Sequence, residues 1–311
     1  MGFTLVATVI ASVTISAVWS VVRGGGVVAV SLRDIAESDV IPLGVVMLFR
    51  FACVVVTLYT MLCVYCDHEG LDLYYRDAQV HLRRHSRWTT FTLWCFTLLF
   101  FYFTLAAYCS GATFVGRGDI VPSCIVIATL VLFEVSYPMS VLVTAIVTFV
   151  LIPVAYRHHH PIGRMFGWRP LMLHNGNVLM MQLAMLSAPP PITLAHLPYA
   201  VLFGCCYTIF AWYWFWRTRV FYYFFLDYHR PYAVVAYLGL LATLAMLYGF
   251  GYLIAVIARH ESSRWWTYPC IMLITLCIMR FREPTAPHHP LRGALGLVRQ
   301  PDRFKPGAFP P

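Results

Sequence analysis

The chain has 311 residues, of which 60% are hydrophobic and only 11% charged. A soluble domain carries about 25% charged residues and needs them to stay in water, so this composition excludes an ordinary water-soluble globule and points to a bilayer. The net charge of +9 rests almost wholly on arginine, Lys305 being the only lysine; nucleic-acid binders are basic too but not this apolar, so no nucleic acid is expected, and arginines between apolar runs read as topology determinants with membrane lipids as partners.

A spanning helix needs about 20 mostly apolar residues, and eight runs qualify in chain order. Residues 3–22 come first, followed by Arg23-Gly24-Gly25-Gly26; no basic residue precedes the run, which favours a retained span over a cleaved signal peptide. Residues 41–66 form the second and contain Arg50, and residues 89–109 form an aromatic, threonine-rich third. Residues 123–154 are long enough to tilt or to be interrupted near Pro138. The fifth run, 171–186, is stopped by Pro189-Pro190-Pro191; 196–216 and 233–258 follow, and 265–279 is the weakest. The expected fold is an all-α polytopic transmembrane bundle over residues 1–279, with eight spans or seven, and a basic Pro/Gly-rich tail over 280–311. No internal repeat is visible.

Arginine placement sets the expected orientation. The connections after spans two, four and six hold ten arginines, those after spans one, three, five and seven hold five, and the tail adds six basic residues to the richer side if eight spans cross. Both termini are then cytosolic. Nothing in the sequence separates the endoplasmic reticulum from the plasma membrane.

Few residues carry chemistry. Arg50 lies inside its run, where a charge costs at least ~2.5–3.5 kcal/mol, so it is expected to pair with backbone carbonyls or with Glu134, the intramembrane carboxylate. Cys63 and Cys66 form a C-x-x-C without a second pair, and the His158-His159-His160 trio does not share one helix or strand face, so neither reads as a metal site. No cofactor motif occurs. His174 opens span five, with Asn175 beside it and Asn177 three residues on, on the same helical face. Thr89, Thr90 and Thr92 open span three. Threonines in membrane helices commonly bond their own backbone, but Thr92 follows Arg87 by five residues and His174 follows Arg169 by five. If both arginines mark the interface, both side chains lie about 7.5 Å below it on the same side.

Phe91-Thr92-Leu93-Trp94 through Phe100-Phe101-Tyr102-Phe103 resembles the threonine-bearing helix of the androgen-induced family of membrane hydrolases and the related insect rolling stone family. His174-Asn175-Gly176-Asn177-Val178 resembles that family's histidine-led helix. Leu197-Pro198-Tyr199, Tyr207-Thr208-Ile209-Phe210 and Phe224-Phe225-Leu226-Asp227 resemble the segments after it. The resemblance runs from Arg50 to Ala258. It implies hydrolysis of fatty acid esters of hydroxy fatty acids, with Thr92 as nucleophile and His174 as general base. Thr90 is the rival nucleophile, and Asn177 or Asn175 an oxyanion donor. In the rolling stone branch the implied role is developmental, with no settled chemistry. The alternative from a different class is a non-enzymatic membrane protein: a receptor, a lipid-binding scaffold or an assembly subunit.

Overall fold

The computed structural model describes residues 2–23, 30–75, 78–157, 163–259 and 264–281. The His158–His160 trio, the glycines after Arg23 and the tail beyond Phe281 lie outside them. Six helices are long and apolar enough to cross a membrane: α1 (Gly2–Arg23), α3 (Leu43–Tyr65), α4 (Phe91–Phe114), the run from α5 (Ser123–Ile146) into α6 (Ile152–Arg157), α9 (Leu197–Thr218) and α10 (Ala233–Arg259). They match six of the eight expected runs. The fifth run is divided between α7 (Trp168–Leu171), a π-helical turn and α8 (Asn177–Ser187), and the eighth is the shorter α11 (Arg264–Ile278).

The bundle is apolar outside, and its few charged groups within the spans are turned inward among apolar side chains. Leu48, Phe51, Leu58, Tyr59 and Leu62 line the exposed face of α3, while Arg50, Thr57 and Thr60 on the same helix are buried. Exposed apolar surface on this scale needs a lipid solvent, and the chain is a multi-pass integral membrane protein.

α5 is the central element, buried almost continuously from Phe133 to Thr144 and packed by α4, α8, α9 and α10. Pro138 lies within it and removes one backbone donor, and a π-helical turn, Val147–Leu151, joins it to α6. α10 fits closely because Gly251 leaves room for a ring: a Cβ there would sit 2.8 Å from Tyr137.

Two small elements were not foreseen. A hairpin of β1 (Leu71–Tyr75) and β2 (Ala78–Leu82) follows α3, with Leu71 opposite Leu82. α2 (Leu32–Ala36) starts at a capping box in which the Ser31 hydroxyl accepts from the Asp34 N–H and the Asp34 carboxylate accepts from Ser31. That box is written as Ser31-x-x-Asp34.

The turn between α8 and α9 is held inside the bundle. Glu134 of α5 accepts the Thr193 N–H at 2.7 Å, and Tyr248 of α10 donates to the Thr193 carbonyl at 2.8 Å. Glu134 is eleven residues past Ser123, and Tyr248 is eleven before Arg259. At 1.5 Å per residue, the turn stops about 16 Å short of where α5 starts and α10 ends. The two elements agree, so α8 and α9 form a hairpin whose tip stays at membrane depth, its Pro190 and Ile192 buried and its Thr193 backbone groups bonded to protein, as irregular backbone there must be.

Candidate functional site

The two ends of the bundle are distinguished by their helix termini. One end gathers Tyr65, Phe91, Arg157, Trp168 and Thr218; it is called the proximal end. The other gathers Leu43, Phe114, Ser123 and Arg259, and is called the distal end.

At the proximal end Asp67 joins three elements. Its carboxylate takes Arg87 at 2.7 Å and Arg169 at 2.9 Å. Burial raises the Asp67 carboxyl, but hydrogen bonds and charge from Arg169 and Arg87 outweigh it and hold it below the ordinary carboxylate value. The two arginines that precede Thr92 and His174 therefore do share a level.

Equal depth does not make Thr92 and His174 a hydrogen-bonded pair. The π-helical turn Met172–Gly176 contains His174, whose carbonyl accepts from the Thr144 hydroxyl of α5. The Asn177 side-chain oxygen accepts from Thr144 at 3.3 Å and from the Val178 N–H at 2.6 Å, while the Asn175 amide donates to the Arg280 carbonyl at 2.7 Å. The wide turn sends Asn177 toward α5 and Asn175 toward the end of α11. Among the described residues, no hydrogen bond joins Thr92 to His174.

Thr92 instead opens onto a pocket. Thr97, Thr104 and Thr113 on α4 each donate to the carbonyl four residues back, at 2.7, 2.8 and 2.9 Å. Thr92 is the second residue of α4, so the residue four back, Trp88, lies in the 3-10 turn before the helix, where its carbonyl accepts from the Trp94 indole N–H at 2.8 Å. Thr90 is bound to the Arg87 carbonyl at 2.9 Å, and Thr89 to the Tyr222 hydroxyl at 2.7 Å. The Thr92 side chain lies against the Tyr223 phenol.

Thr92 and Tyr223 line a partly open pocket enclosing about 760 Å³, the space at its mouth included. Its walls come from α1, α4, α5 with its π turn, α9, the 223–226 segment and α10, and they are apolar apart from hydroxyls. Along α5 the lining runs from Met139 to Leu151, which is about 18 Å of helix. His174 lies outside the lining. Aromatic contacts brace the wall: Phe215 stacks on Phe221 with ring centres 4.1 Å apart, and the Trp212 indole donates to Tyr237 at 2.8 Å.

Arg50 is buried among neutral groups. It donates to the carbonyls of Ala36 at 3.4 Å and Ala106 at 3.3 Å and to the Ser110 hydroxyl. Its expected acidic partner, Glu134, is elsewhere, and among the described residues no acid pairs with Arg50. Glu134 sits deeper and its carboxylate is occupied by the α8–α9 turn, with His196 Nδ1 at 2.5 Å and the Thr193 N–H on its other oxygen. α2 supplies the carbonyl that Glu134 was expected to replace. His196 was missed as a partner: its only sequence signal was a histidine opening an apolar helix, 62 residues from Glu134.

No family model matches the chain, and no match was found among curated proteins or solved structures. What the fold defines is a class, the polytopic helical membrane proteins, with a partly open pocket toward its proximal end.

Proposed function

We propose that this membrane protein binds a lipid in the proximal pocket, as a lipid-binding scaffold or receptor does. The carrying observation is the placing of Thr92: its side chain, paired with the Tyr223 phenol, lines a pocket whose walls are apolar apart from hydroxyls. Apolar walls with a few placed polar groups suit an apolar body with one polar end.

Hydrolysis by Thr92 and His174, implied by the family resemblance, is the second reading. It draws on the shared level of Arg87 and Arg169 at Asp67 and on the packing of α4 beside the turn that carries His174. Binding is preferred because the group beside the Thr92 hydroxyl is a phenol, not a base, and a threonine nucleophile needs a base within reach.

Native mass spectrometry on protein extracted in mild detergent tests the choice. The expected result is a retained lipid and no fatty acid release from added ester. Fatty acid release abolished by both Thr92→Ala and His174→Ala, with Thr90→Ala still active, would overturn the binding reading.

A further inference from the structure

Resting on the pocket reading above, we infer that the proximal pocket selects an uncharged lipid whose polar end is a hydroxyl or ester oxygen. Among the described residues, the lining holds no Asp, Glu, His, Lys or Arg; its polar side chains are Thr92, Thr208, Tyr207, Tyr223 and Tyr237. A charged head group placed there would lose its water and find no counter-charge, a far larger loss than an ester or alcohol suffers. Hydroxyls accept as well as donate, so they match a group that does both.

Nearby charge is already closed on itself. Asp227 adjoins the lining residue Leu226, but its carboxylate takes His229 Nδ1 at 3.0 Å and Arg230 at 3.3 Å. The Tyr207 hydroxyl donates to the Thr89 carbonyl at 3.2 Å and the Tyr237 hydroxyl to the Leu226 carbonyl at 2.6 Å. The Tyr237 oxygen in turn accepts from the Trp212 indole at 2.8 Å, whereas the Tyr207 oxygen keeps an acceptor that a lipid hydroxyl can use.

The lining also fixes an orientation. Thr92 is the second residue of α4, at the proximal end, whereas Met139 and Leu244 lie further in. The polar end then faces the proximal interface and the hydrocarbon points toward the bundle centre, as for a lipid of the proximal leaflet.

The test uses the full chain in nanodiscs of uncharged phosphatidylcholine, with three photoreactive probes sharing one diazirine-bearing acyl chain: a diacylglycerol, a phosphatidic acid and a free fatty acid. Crosslinked peptides are mapped by mass spectrometry. Diacylglycerol should be captured at residues from the lining, such as Met139 or Leu244, about tenfold over either acid. That difference corresponds to about 1.4 kcal/mol. Thr92→Val with Tyr223→Phe should cut the diacylglycerol preference several-fold while leaving capture of a hydrocarbon diazirine probe unchanged. Equal or stronger capture of the acids at those residues would overturn the selectivity and leave the pocket standing. Failure of every probe, the hydrocarbon one included, to label the lining would overturn the pocket reading itself.

Discussion

The proximal and distal parts of this bundle treat polarity in opposite ways. Toward the distal end, charges buried within the spans are closed on partners: Arg50 under α2, and Glu134 with His196 at the α8–α9 turn. Toward the proximal end a pocket is lined, among the described residues, by apolar and hydroxyl-bearing side chains, and the charges buried at that end, Arg87 and Asp227, lie outside its lining on partners of their own. Buried charge here acts as a fastener, because an ion inside a membrane must be closed on partners to exist at all. Neutral hydroxyls tolerate an open cavity, so that is where a ligand fits.

The largest expected effect of breaking this contrast comes from Glu134→Ala. It strips partners from His196 and the Thr193 N–H together, and removing one member of a buried pair typically costs about 3–5 kcal/mol. Thermal melting of purified protein should show a large drop, with lipid capture falling only as folded protein falls. A melting curve indistinguishable from wild type would mean the turn is not held as described.

Gly204→Leu attacks the other side. A Cβ at Gly204 would meet Leu244 at an ordinary 3.6 Å, so the larger side chain enters the pocket with little strain. Lipid capture should fall by about tenfold or more, while stability falls by no more than the ~1–3 kcal/mol typical of a small-to-large change. Thr92→Val is subtler. Losing one neutral hydrogen bond is worth about 0.5–1.5 kcal/mol, so affinity for a diacylglycerol should weaken several-fold, read by competition against the photoprobe.

Arg50→Met should be nearly neutral. Buried ions replaced by apolar side chains of similar volume often leave stability unchanged or raise it, and the Ser110 hydroxyl keeps its 3.0 Å bond to the Ala36 carbonyl. A loss as large as that of Glu134→Ala would show that the two buried charges do the same job.

The smallest effect concerns the Asp67 clamp outside the spans. Its folded carboxyl is held below the ordinary value of 3.8, so its contribution is complete above about pH 4 and is lost as pH falls through the lower folded value. Melting temperature followed from pH 7 to pH 3 should fall more steeply for wild type than for Asp67→Asn at the acid end. Parallel curves would contradict the clamp.

Much of the bundle was legible because apolar runs of spanning length are a strong signal. Arg87 and Arg169 correctly marked a common level, and the need of Arg50 for backbone carbonyls followed from the cost of its charge. The pairing of Glu134 with His196 was not legible, since it depends on how far α8 descends before turning. Nor was the partner of Thr92: it is Tyr223, more than a hundred residues on and brought in by a segment outside the helices, which spacing does not reveal. The π turn around His174 was not legible either, since nothing in the spacing of His174 and Asn177 marks it. A pocket built from separate helices has no linear signature.

The most direct test of the central claim compares capture of the photoreactive diacylglycerol by wild type, Gly204→Leu and His174→Ala in the same nanodiscs. The account predicts that Gly204→Leu loses capture at the lining residues while His174→Ala keeps it. Undiminished labelling of Gly204→Leu, or loss of labelling in His174→Ala with folding intact, would contradict it.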